Sequence, residues 1–358
     1  MEDLTILLCL KDRKNFTKRW LDWMVEEKCP FNILIADGDK DKSFTKNLLI
    51  NSKYKDLNIS YKEYPEDISL QNFVNKFNDA VSSIRTEYMI CADNDDFVLI
   101  ENLRKAIEFF KKNKQVETLA LSHYRFSIES GSQELDSKMY MNGSEIKFQK
   151  LQAFDFSNFS KMKTTERLKK TIKDFPSDYF FYAIHKTVNF KKNINVTSSY
   201  PIEYMFFWER HLTYSIGILG NINSNSSLEP FVVRQEGTSI SASKLIEKER
   251  LSRIRFTTSW KEQYPNFVRG LHTIFNQDTK IRFMKFKFFF NVYYSFYIYS
   301  RILHGIFGFF LRGNKEIYLI LSNIVLKRLN KKRINLDNKE LFSSDLSIKK
   351  LVNFLQAP

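Results

Sequence analysis

Apolar runs alternate with segments of helical spacing near the start of the chain. Four of the runs predict strands, at 4–10 (LTILLCL), 31–38 (FNILIADG), 57–65 (LNISYKEYP) and 87–92 (EYMICA). Between them, apolar residues recur at helical spacing in KDRKNFTKRWLDWMVEEK and LQNFVNKFNDAVSSI. Strands and helices that alternate with short connections are typical of right-handed βαβ units. The pattern predicts an α/β fold with a mostly parallel sheet.

Acidic residues follow two of these predicted strands at the point where each strand ends. Asp37 closes the second strand, and ADNDDF (92–97) places Asp93, Asp95 and Asp96 directly after the fourth. In parallel sheets, ligands bind at the carboxyl ends of the strands. Asp93 and Asp95 are two apart in an extended segment, so they point the same way and can share a hard cation such as Mg²⁺ or Mn²⁺. Such a cation commonly carries the phosphates of a nucleotide.

A simpler interpretation of ADNDDF is a solvated acidic turn, or an aspartate that caps the helix ENLRKAIEFFKK. For an isolated D-x-D pattern this interpretation is the usual one. The long apolar strand before the acids and the matching Asp37 favour the binding site.

The composition adds a charge constraint. The chain has 358 residues, 43% of them hydrophobic, and its formal net charge of +15 favours an anionic partner such as nucleic acid, a phosphorylated small molecule or an acidic membrane surface. Its three cysteines fit neither a zinc site nor a disulfide framework, and this predicts a reducing, cytoplasmic location. The opening MEDLTILLCLKDRKN carries acids where a secretory signal needs basic residues, so LTILLCL is interpreted as the first strand.

Around the acidic turn, the chain resembles a known family. The turn IADGD, the helix NKFNDAVSSI and the segment TEYMICADNDDF resemble the nucleotide-binding half of GT-A fold glycosyltransferases of the inverting family 2 type, especially the bacterial envelope-polysaccharide members. The family pattern R-N-x-A…G-E-Y-I-x-x-L-D-x-D-D is matched in order by Lys76, Asn78, Ala80, Glu87, Tyr88, Asp93, Asp95 and Asp96. The resemblance covers roughly the first 100 residues and continues more weakly to about residue 240.

The resemblance implies a GT-A, Rossmann-like fold and a metal-dependent, inverting transfer of a sugar from a nucleotide-sugar donor, with a UDP-sugar as the first choice. The acceptor it implies is a saccharide or a lipid-linked saccharide in cell-envelope polysaccharide synthesis. Asp37 would lie near the nucleobase of the donor, and Lys76 or Asn78 would lie near its ribose and phosphate. The implied donor-binding residues are Asp37, Lys76, Asn78, Asp93, Asn94 and Arg234, and the implied ligands of Mn²⁺ or Mg²⁺ are Asp93, Asp95 and Asp96.

Inverting transfer needs a carboxylate that takes the proton of the acceptor hydroxyl. The candidates, in order of preference, are Glu203, Asp178 and Glu209. In the family a Glu-Asp pair begins the helix that carries the base; Glu203 fits this spacing, although Tyr204 stands where the family has Asp. Each candidate also has a structural interpretation: Glu203 as a carboxylate at a helix N-terminus, Asp178 as a turn cap, and Glu209 as the solvated neighbour of an arginine.

The second half of the predicted domain contributes further elements. The segment 177–190 (SDYFFYAIHKTVNF) predicts a strand, and 200–222 predicts an aromatic helix followed by a short strand. In FVVRQEGTSISAS (231–243), Arg234 lies at the end of a strand, where it would offset the charge of a leaving diphosphate. The alternative for Arg234 is an edge-strand arginine in water.

The domain prediction divides the chain near residue 245. Residues 1–244 form the GT-A-like domain, with a nucleotide-sugar-binding half (1–100) and an acceptor half (101–244), and residues 245–358 form a basic, aromatic, helical domain. Phe and Tyr are dense in 281–335 and Lys and Arg recur, but its uncharged stretch is shorter than the ~20 residues of a membrane-spanning helix. This region predicts peripheral contact with the inner face of the cell membrane, or packing against other helices or a partner subunit.

Three other function classes fit part of the pattern. A catalytically degenerate sugar-nucleotide-binding or scaffold protein would fit the missing Glu-Asp pair, but not the intact Asp37, Asp93 and Asp95. A nucleotidyltransferase usually has a glycine-rich phosphate loop near its N-terminus, where this chain has LLCLKDRKNF. A nucleic-acid-binding protein would concentrate basic and aromatic residues on one face. Here Lys and Arg are spread along the chain and peak near its C-terminus, so no nucleic-acid partner is expected.

Overall fold

The computed structural model describes residues 3–128, 146–151, 156, 159–174, 180–224, 227–236, 258–295, 333–335 and 345–356. Its strands are β1 (Leu4–Leu10), β2 (Asn32–Asp37), β3 (Ile59–Glu63), β4 (Tyr88–Ala92), β5 (Phe97–Val98), β6 (Thr118–Leu119), β7 (Tyr124–Ile128), β8 (Ile146–Leu151), β9 (Ile184–Lys186), β10 (Ile222–Asn223), β11 (Val232–Gln235) and β12 (Arg333–Asn335). Its α-helices are α1 (Lys14–Glu26), α2 (Ser43–Leu49), α3 (Leu70–Ser83), α4 (Ile100–Lys112), α5 (Thr164–Asp174), α6 (Thr187–Ser198), α7 (Met205–Leu219), α8 (Thr258–Thr279), α9 (283–295) and α10 (Leu346–Gln356).

The main sheet has parallel strands side by side at its centre. In the described residues it contains seven strands in the order β10-β6-β9-β4-β1-β2-β3. Strand β1 pairs in parallel with β4 and β2, and β2 pairs in parallel with β3, while β9 runs antiparallel to its neighbours. Leu10 lies opposite Asp37 and Leu8 lies opposite Ala92, so β1, β2 and β4 end at one edge. The predicted fold class is confirmed, and all four predicted strands are present.

Strand β1 is apolar except at Thr5, because helices cover both faces of the sheet. Ile6, Leu8 and Leu10 belong to the hydrophobic cluster that contains residues of α1 and α4. Leu7 belongs to the other cluster, which contains residues of α3, α6, α7 and α8. Alternate side chains of one strand thus anchor the sheet to both helical layers.

A second sheet brings a distant segment to the end of β4. In the described residues it contains five strands in the order β12-β8-β7-β11-β5. Strand β5 directly follows the acidic turn, and β11 pairs antiparallel with it through Val233 and Phe97. This pairing places Arg234 beside Asp96, although 138 residues separate them along the chain.

Large aromatic side chains fix α7 in the helical layer that contains α3. Trp208 of α7 packs edge-on against Phe73 and Phe77 of α3, with ring centroids 5.6 and 5.4 Å apart. On another side of α7, Phe207 contacts Trp260 of α8 with 4.6 Å between centroids. Helix α7 is therefore held between α3 and α8 by buried rings, whose large apolar area stabilises the contact.

The C-terminal segments are divided between the two hydrophobic clusters. Helices α8 and α9 pack with α7, and α9 buries Phe286, Phe290 and Tyr294 there. Helix α10 belongs to the other cluster, where Phe354 contacts Trp23 of α1 with 5.2 Å between ring centroids. In the described part of the chain, the C-terminal helices thus share the cores of the N-terminal region. The predicted boundary near residue 245 lies outside the described residues and stays a prediction.

Helix α9 has two different faces. Opposite its buried aromatic residues it exposes an apolar stripe, Met284, Phe288 and Val292, spaced four residues apart. None of the helices in the described ranges combines the length and the apolar character needed to cross a bilayer. Residues 296–332, which make up most of the predicted membrane-contact region, lie outside the described residues.

Candidate functional site

The acidic turn after β4 is buried at the edge where β1, β2 and β4 end. Asn94, Asp95 and Asp96 are nearly inaccessible to solvent, and Asp93 is partly exposed. The backbone N–H of Asp96 donates to the carbonyl of Asp93 at 3.3 Å and closes the turn. Carboxylates this close together repel one another when they are ionised. The turn therefore favours either nearby positive charge or protonation.

Asp93 and Asp95 have partners from two different segments of the chain. Asp93 accepts a hydrogen bond from the hydroxyl of Tyr182, which precedes β9. Asp95 forms an ion pair with Arg13, with 2.7 Å between Oδ2 and Nη1. Arg13 lies in the connection between β1 and α1, so the pair joins the ends of β1 and β4.

Asp96 is held by β11 through both of its oxygens. Its Oδ2 accepts from Nε of Arg234 at 3.2 Å, and its Oδ1 accepts from the backbone N–H of Gln235 at 3.1 Å. The guanidinium of Arg234 also lies over the ring of Tyr182, 4.3 Å from its centroid. The partner of Asp93, Tyr182, and the partner of Asp96, Arg234, are therefore also in contact with each other.

Burial has the largest effect on the pKa of Asp93 and on that of Asp96. Burial raises the pKa of Asp93, and the charge of Asp95 raises it further, against the hydrogen bond from Tyr182. Burial likewise raises the pKa of Asp96 to about 8, although the positive charge of Arg234 opposes the shift. The arginines thus compensate only part of the negative charge, and a further cation at this edge would stabilise the ionised carboxylates.

A second pair of acids lies at the end of β2. Asp37 is fully buried and accepts hydrogen bonds from the Tyr61 hydroxyl at 2.7 Å and from the backbone N–H of Asp39 at 2.8 Å. Asp39 is also buried, and burial together with the charge of Asp37 raises its pKa to about 6. The backbone N–H of Asp12 donates to Asp39. These bonds fix Asp37 in position. Its contact with the nucleobase of a donor stays a prediction.

Lys76 lies in a buried ion pair. Its ammonium group contacts the carboxylate of Asp67, with both side chains only 1–2% exposed, and donates to the carbonyl of Leu10 at 2.7 Å. Gly38 is required beside them, because a Cβ at that position would lie 2.6 Å from the Asp67 carboxyl carbon. Lys76 therefore joins α3 to the ends of β1 and β2 from inside the protein. Its contact with ribose or phosphate stays a prediction.

An open depression of about 260 Å³ adjoins the first turns of α3. Its lining residues are Tyr64, Pro65, Asn72, Asn75, Lys76 and Asp79. Asn78 is partly exposed on the same helix, and its Oδ1 has no hydrogen-bond partner within the described ranges. The contact of Asn78 with the ribose of a donor stays a prediction.

The connection between β1 and α1 runs between the two acidic groups, because β1 lies between β2 and β4 in the sheet. Asp12 and Arg13 both have left-handed backbone conformations, with φ of 60° and 64°. The side-chain amide of Asn94 donates to the carbonyls of Asp12 and Arg13 at 3.5 and 3.4 Å, and to Oγ1 of Thr17 at 3.0 Å. Asn94 therefore holds this connection in place, and its predicted contact with the donor stays a prediction.

The candidates for the catalytic base come from α7 and from the segment before β9. Glu203 is exposed and precedes α7, where its backbone N–H donates to Oε1 of Gln263 at 2.8 Å and its Oε2 accepts from Nε2 of Gln263 at 3.3 Å. Glu209 is partly buried within α7. Asp178 lies outside the described residues. The role of base stays a prediction for each of them.

The acids of the turn have the right chemistry for a divalent cation. Within the described residues, no three His, Cys, Asp or Glu side chains converge in a metal-holding group. Carboxylate oxygens are nevertheless the donors that Mn²⁺ and Mg²⁺ prefer. Asp93 and Asp95 fit this role better than Asp96, because both oxygens of Asp96 accept hydrogen bonds from β11.

The structure adds residues that the sequence did not single out, namely Arg13, Asp39, Asp67 and Tyr182. Tyr182 contacts Asp93 across 89 residues of the chain, and nothing in its local sequence indicates this contact. Asp67 lies only nine residues before Lys76, but its sequence neighbours do not indicate a buried ion pair. The position of Arg13 could have been inferred from the sheet topology. Arg13 follows β1, and the carboxyl end of β1 must lie between the carboxyl ends of β2 and β4. The fold and the site together define an α/β protein with carboxylates and arginines at the ligand-binding edge of its parallel strands.

Comparison with known proteins finds similarity in solved structures alone. No family model matches the chain, and no curated protein matches it. TarS from S. aureus is 10% identical over 84% of this chain and 55% of that chain, with a TM-score of 0.44, so the chain spans about half the length of that protein. TarS 1-349 in complex with UDP is 10% identical over 84% of this chain and 92% of that chain, with a TM-score of 0.45. The mannosyltransferase PcManGT from Pyrobaculum calidifontis, in complex with GDP-Man and Mn2+, is 11% identical over 90% of this chain and 85% of that chain, with a TM-score of 0.44.

Proposed function

We propose that the chain is a glycosyltransferase that uses a nucleotide-sugar donor, with a UDP-sugar as the first choice, and a divalent cation. The observation that carries the proposal is the pairing of closely spaced carboxylates with two guanidinium groups at the carboxyl ends of parallel strands. Carboxylates suit a divalent cation, and guanidinium groups suit phosphate oxygens. The resemblance of the surrounding sequence to family 2 glycosyltransferases supports the same reaction.

Each side chain of the edge has a role in this proposal. Asp93 and Asp95 would hold Mn²⁺ or Mg²⁺, which supplies positive charge that stabilises a departing diphosphate. Arg234 would donate hydrogen bonds to the phosphate oxygens, and Asp96 orients it through its Nε. Asp37 would face the nucleobase of the donor, and Asn78 would face its ribose.

The catalytic base in this proposal is Glu203, with Asp178 and Glu209 as the next choices. The base would take the proton of an acceptor hydroxyl while the hydroxyl oxygen bonds to the anomeric carbon and the bond from that carbon to the phosphate oxygen breaks. A single displacement of this kind inverts the anomeric configuration. The hydrogen bond from Nε2 of Gln263 to Oε2 of Glu203 supports the first choice, because it orients the carboxylate.

A panel of nucleotide sugars tests the proposal. The panel should include UDP-GlcNAc and GDP-Man, the donors present in similar solved structures. We expect consumption of one donor with release of its nucleoside diphosphate, and we expect a chelator to stop the reaction. Release of pyrophosphate from a nucleoside triphosphate and a sugar phosphate would instead identify a nucleotidyltransferase. Donor binding without any turnover across the panel would identify a degenerate binding protein.

The proposed acceptor is a saccharide or a lipid-linked saccharide of the cell envelope, with the protein attached peripherally to the inner face of the membrane. The apolar stripe of α9 supports this attachment, because Met284 and Phe288 are 71% and 74% exposed. Lys285 and Lys287 lie between these two residues in the sequence and would face anionic headgroups.

Substituting the stripe is expected to weaken binding to anionic vesicles. The double substitution Met284→Ser with Phe288→Ser removes two side chains whose transfer from water is worth roughly 1.5–3 kcal/mol each when complete. We therefore expect at least about a tenfold fall in the ratio of vesicle-bound to free protein in flotation experiments. Ile50→Ser is the matched control, since Ile50 is 79% exposed on another element and should not change flotation. Failure of the unsubstituted chain to float would remove the membrane proposal.

A further inference from the structure

The connection between β1 and α1 combines a strained backbone with a charged side chain. Left-handed conformations are uncommon for residues other than glycine, and each costs about 1–2 kcal/mol, so two in succession need support from their surroundings. Here Asp12 donates its N–H to Asp39, and the carbonyls of Asp12 and Arg13 accept from Asn94. The backbone of Arg13 is thus fixed between the two acidic groups, and its side chain extends to the acids after β4.

The two arginines of the edge are held in different ways. Arg234 bonds to Asp96 and lies over the ring of Tyr182, in a strand whose backbone also bonds to Asp96. Arg13 reaches Asp95 from the loop, in an ion pair with Nη1 2.7 Å from Oδ2 and with 15% of its side chain exposed. Rotation about its side-chain bonds would move the guanidinium away from Asp95 without moving the loop.

The ion pair occupies the carboxylate that a divalent cation would need. A cation shared by Asp93 and Asp95 would repel the guanidinium of Arg13 at this distance, so the two compete for the same oxygen. A guanidinium released from Asp95 would remain beside the cation site, within reach of phosphates that the cation would hold. Guanidinium groups bind phosphate oxygens with two parallel hydrogen bonds.

We propose that Arg13 is a displaceable counter-ion of the site. It neutralises Asp95 while no divalent cation is bound, and it turns to the diphosphate of the donor when the cation binds. This inference rests on the proposed function, and it assigns to Arg13 the roles of counter-ion and phosphate-binding residue.

The Arg13→Asn variant tests the inference, because asparagine tolerates a left-handed backbone and the loop should therefore keep its shape. Without nucleotide, we expect the variant to bind Mn²⁺ about fivefold more tightly than the wild type, the effect of removing one competing ion pair. At saturating Mn²⁺ we expect it to bind UDP roughly 10- to 100-fold more weakly, since a charge-assisted contact is lost. Both constants are measured by calorimetry, and free Mn²⁺ is checked by paramagnetic resonance.

Lys14→Ala is the matched control for charge. Lys14 is the next residue, is 40% exposed and pairs with Asp41, so its removal should leave both constants unchanged. Arg13→Lys keeps the charge but not the paired hydrogen bonds, so it should restore the Mn²⁺ affinity of the wild type and only part of the UDP affinity. Thermal unfolding of each variant checks that the loop substitution leaves the fold intact.

The outcomes separate this inference from the proposed function. If the wild type binds UDP with Mn²⁺ but Arg13→Asn leaves Mn²⁺ affinity unchanged or lower, the counter-ion role is wrong and the proposed function stands. An unchanged UDP affinity in the variant likewise overturns the phosphate-binding role. If the wild type binds neither Mn²⁺ nor UDP, the proposed function fails and the inference fails with it.

Discussion

An Asp93→Asn variant is expected to transfer sugar about 10³-fold more slowly than the wild type, the size of effect seen when a group that stabilises transition-state charge is removed. Asparagine keeps the shape of the side chain and can still accept the hydrogen bond from Tyr182. It lacks the negative charge that would hold a divalent cation together with Asp95. The rate is measured as release of the nucleoside diphosphate at saturating donor and acceptor.

The same variant is expected to be at least as stable as the wild type at pH 8. Burial and the charge of Asp95 raise the pKa of Asp93, so its ionised form destabilises the folded state at high pH, and a neutral side chain removes that cost. Asp56→Asn, at an exposed position, serves as the control and should change neither rate nor stability. A loss of rate accompanied by an equal loss of folded protein would count against a direct role for Asp93.

Replacing Lys76 by Met is expected to lower the free energy of unfolding by about 3–5 kcal/mol, the cost of leaving one partner of a buried ion pair uncompensated. Asp67 would keep its carboxylate in a site that is 2% exposed, and the carbonyl of Leu10 would lose one of its two donors and keep the backbone N–H of Gly38. Burial already raises the pKa of Asp67 against the effect of Lys76. Urea unfolding at pH 8 measures the loss.

Two comparisons make the Lys76 result interpretable. Lys62→Met breaks an exposed pair with Asp79, with side chains 43% and 55% exposed, and should cost less than about 1 kcal/mol. The double variant Asp67→Asn with Lys76→Met should recover much of the loss, because it removes the uncompensated charge. If Lys76→Met were no more destabilising than Lys62→Met, the buried pair would not be what joins α3 to the ends of β1 and β2.

The strands and the acidic edge were predictable because their signals are local. The run EYMICA (87–92) corresponds to β4 at Tyr88–Ala92, and LTILLCL (4–10) corresponds to β1 at Leu4–Leu10. Continuous burial on both faces of a parallel strand requires such runs, so their positions can be read without knowing the partners. The position of Asp37 and Asp93 at one edge then follows from the parallel arrangement alone.

One predicted strand was too long. In the described part of 177–190 the structure has a three-residue strand, β9, followed at once by α6 at Thr187–Ser198. The α6 sequence TVNFKKNINVTS is rich in β-branched residues and asparagine, which have low helix propensity, so the local signal favours a strand. Packing of Phe190 and Ile194 into the cluster around α3 and α7 overrides that propensity.

The contacts that complete the site could not be predicted, because they depend on tertiary register. Arg234 reaches Asp96 only because β11 pairs with the short strand that follows the turn. Tyr182 reaches Asp93 from the segment before β9. Lys350 of helix α10, which lies in the predicted C-terminal domain, bonds to the carbonyl of Glu26 in α1, 324 residues away. No local pattern encodes a pairing over such separations.

The central claim is that Asp93 and Asp95 bind a divalent cation that in turn holds the diphosphate of a nucleotide. Calorimetric titration of UDP into the full chain, with and without Mn²⁺, tests it most directly. We expect UDP to bind at least about tenfold more tightly with Mn²⁺ than without it, and we expect Asp93→Asn to abolish that difference. Equal affinity under both conditions, or a Mn²⁺ effect that survives in Asp93→Asn, would contradict the claim.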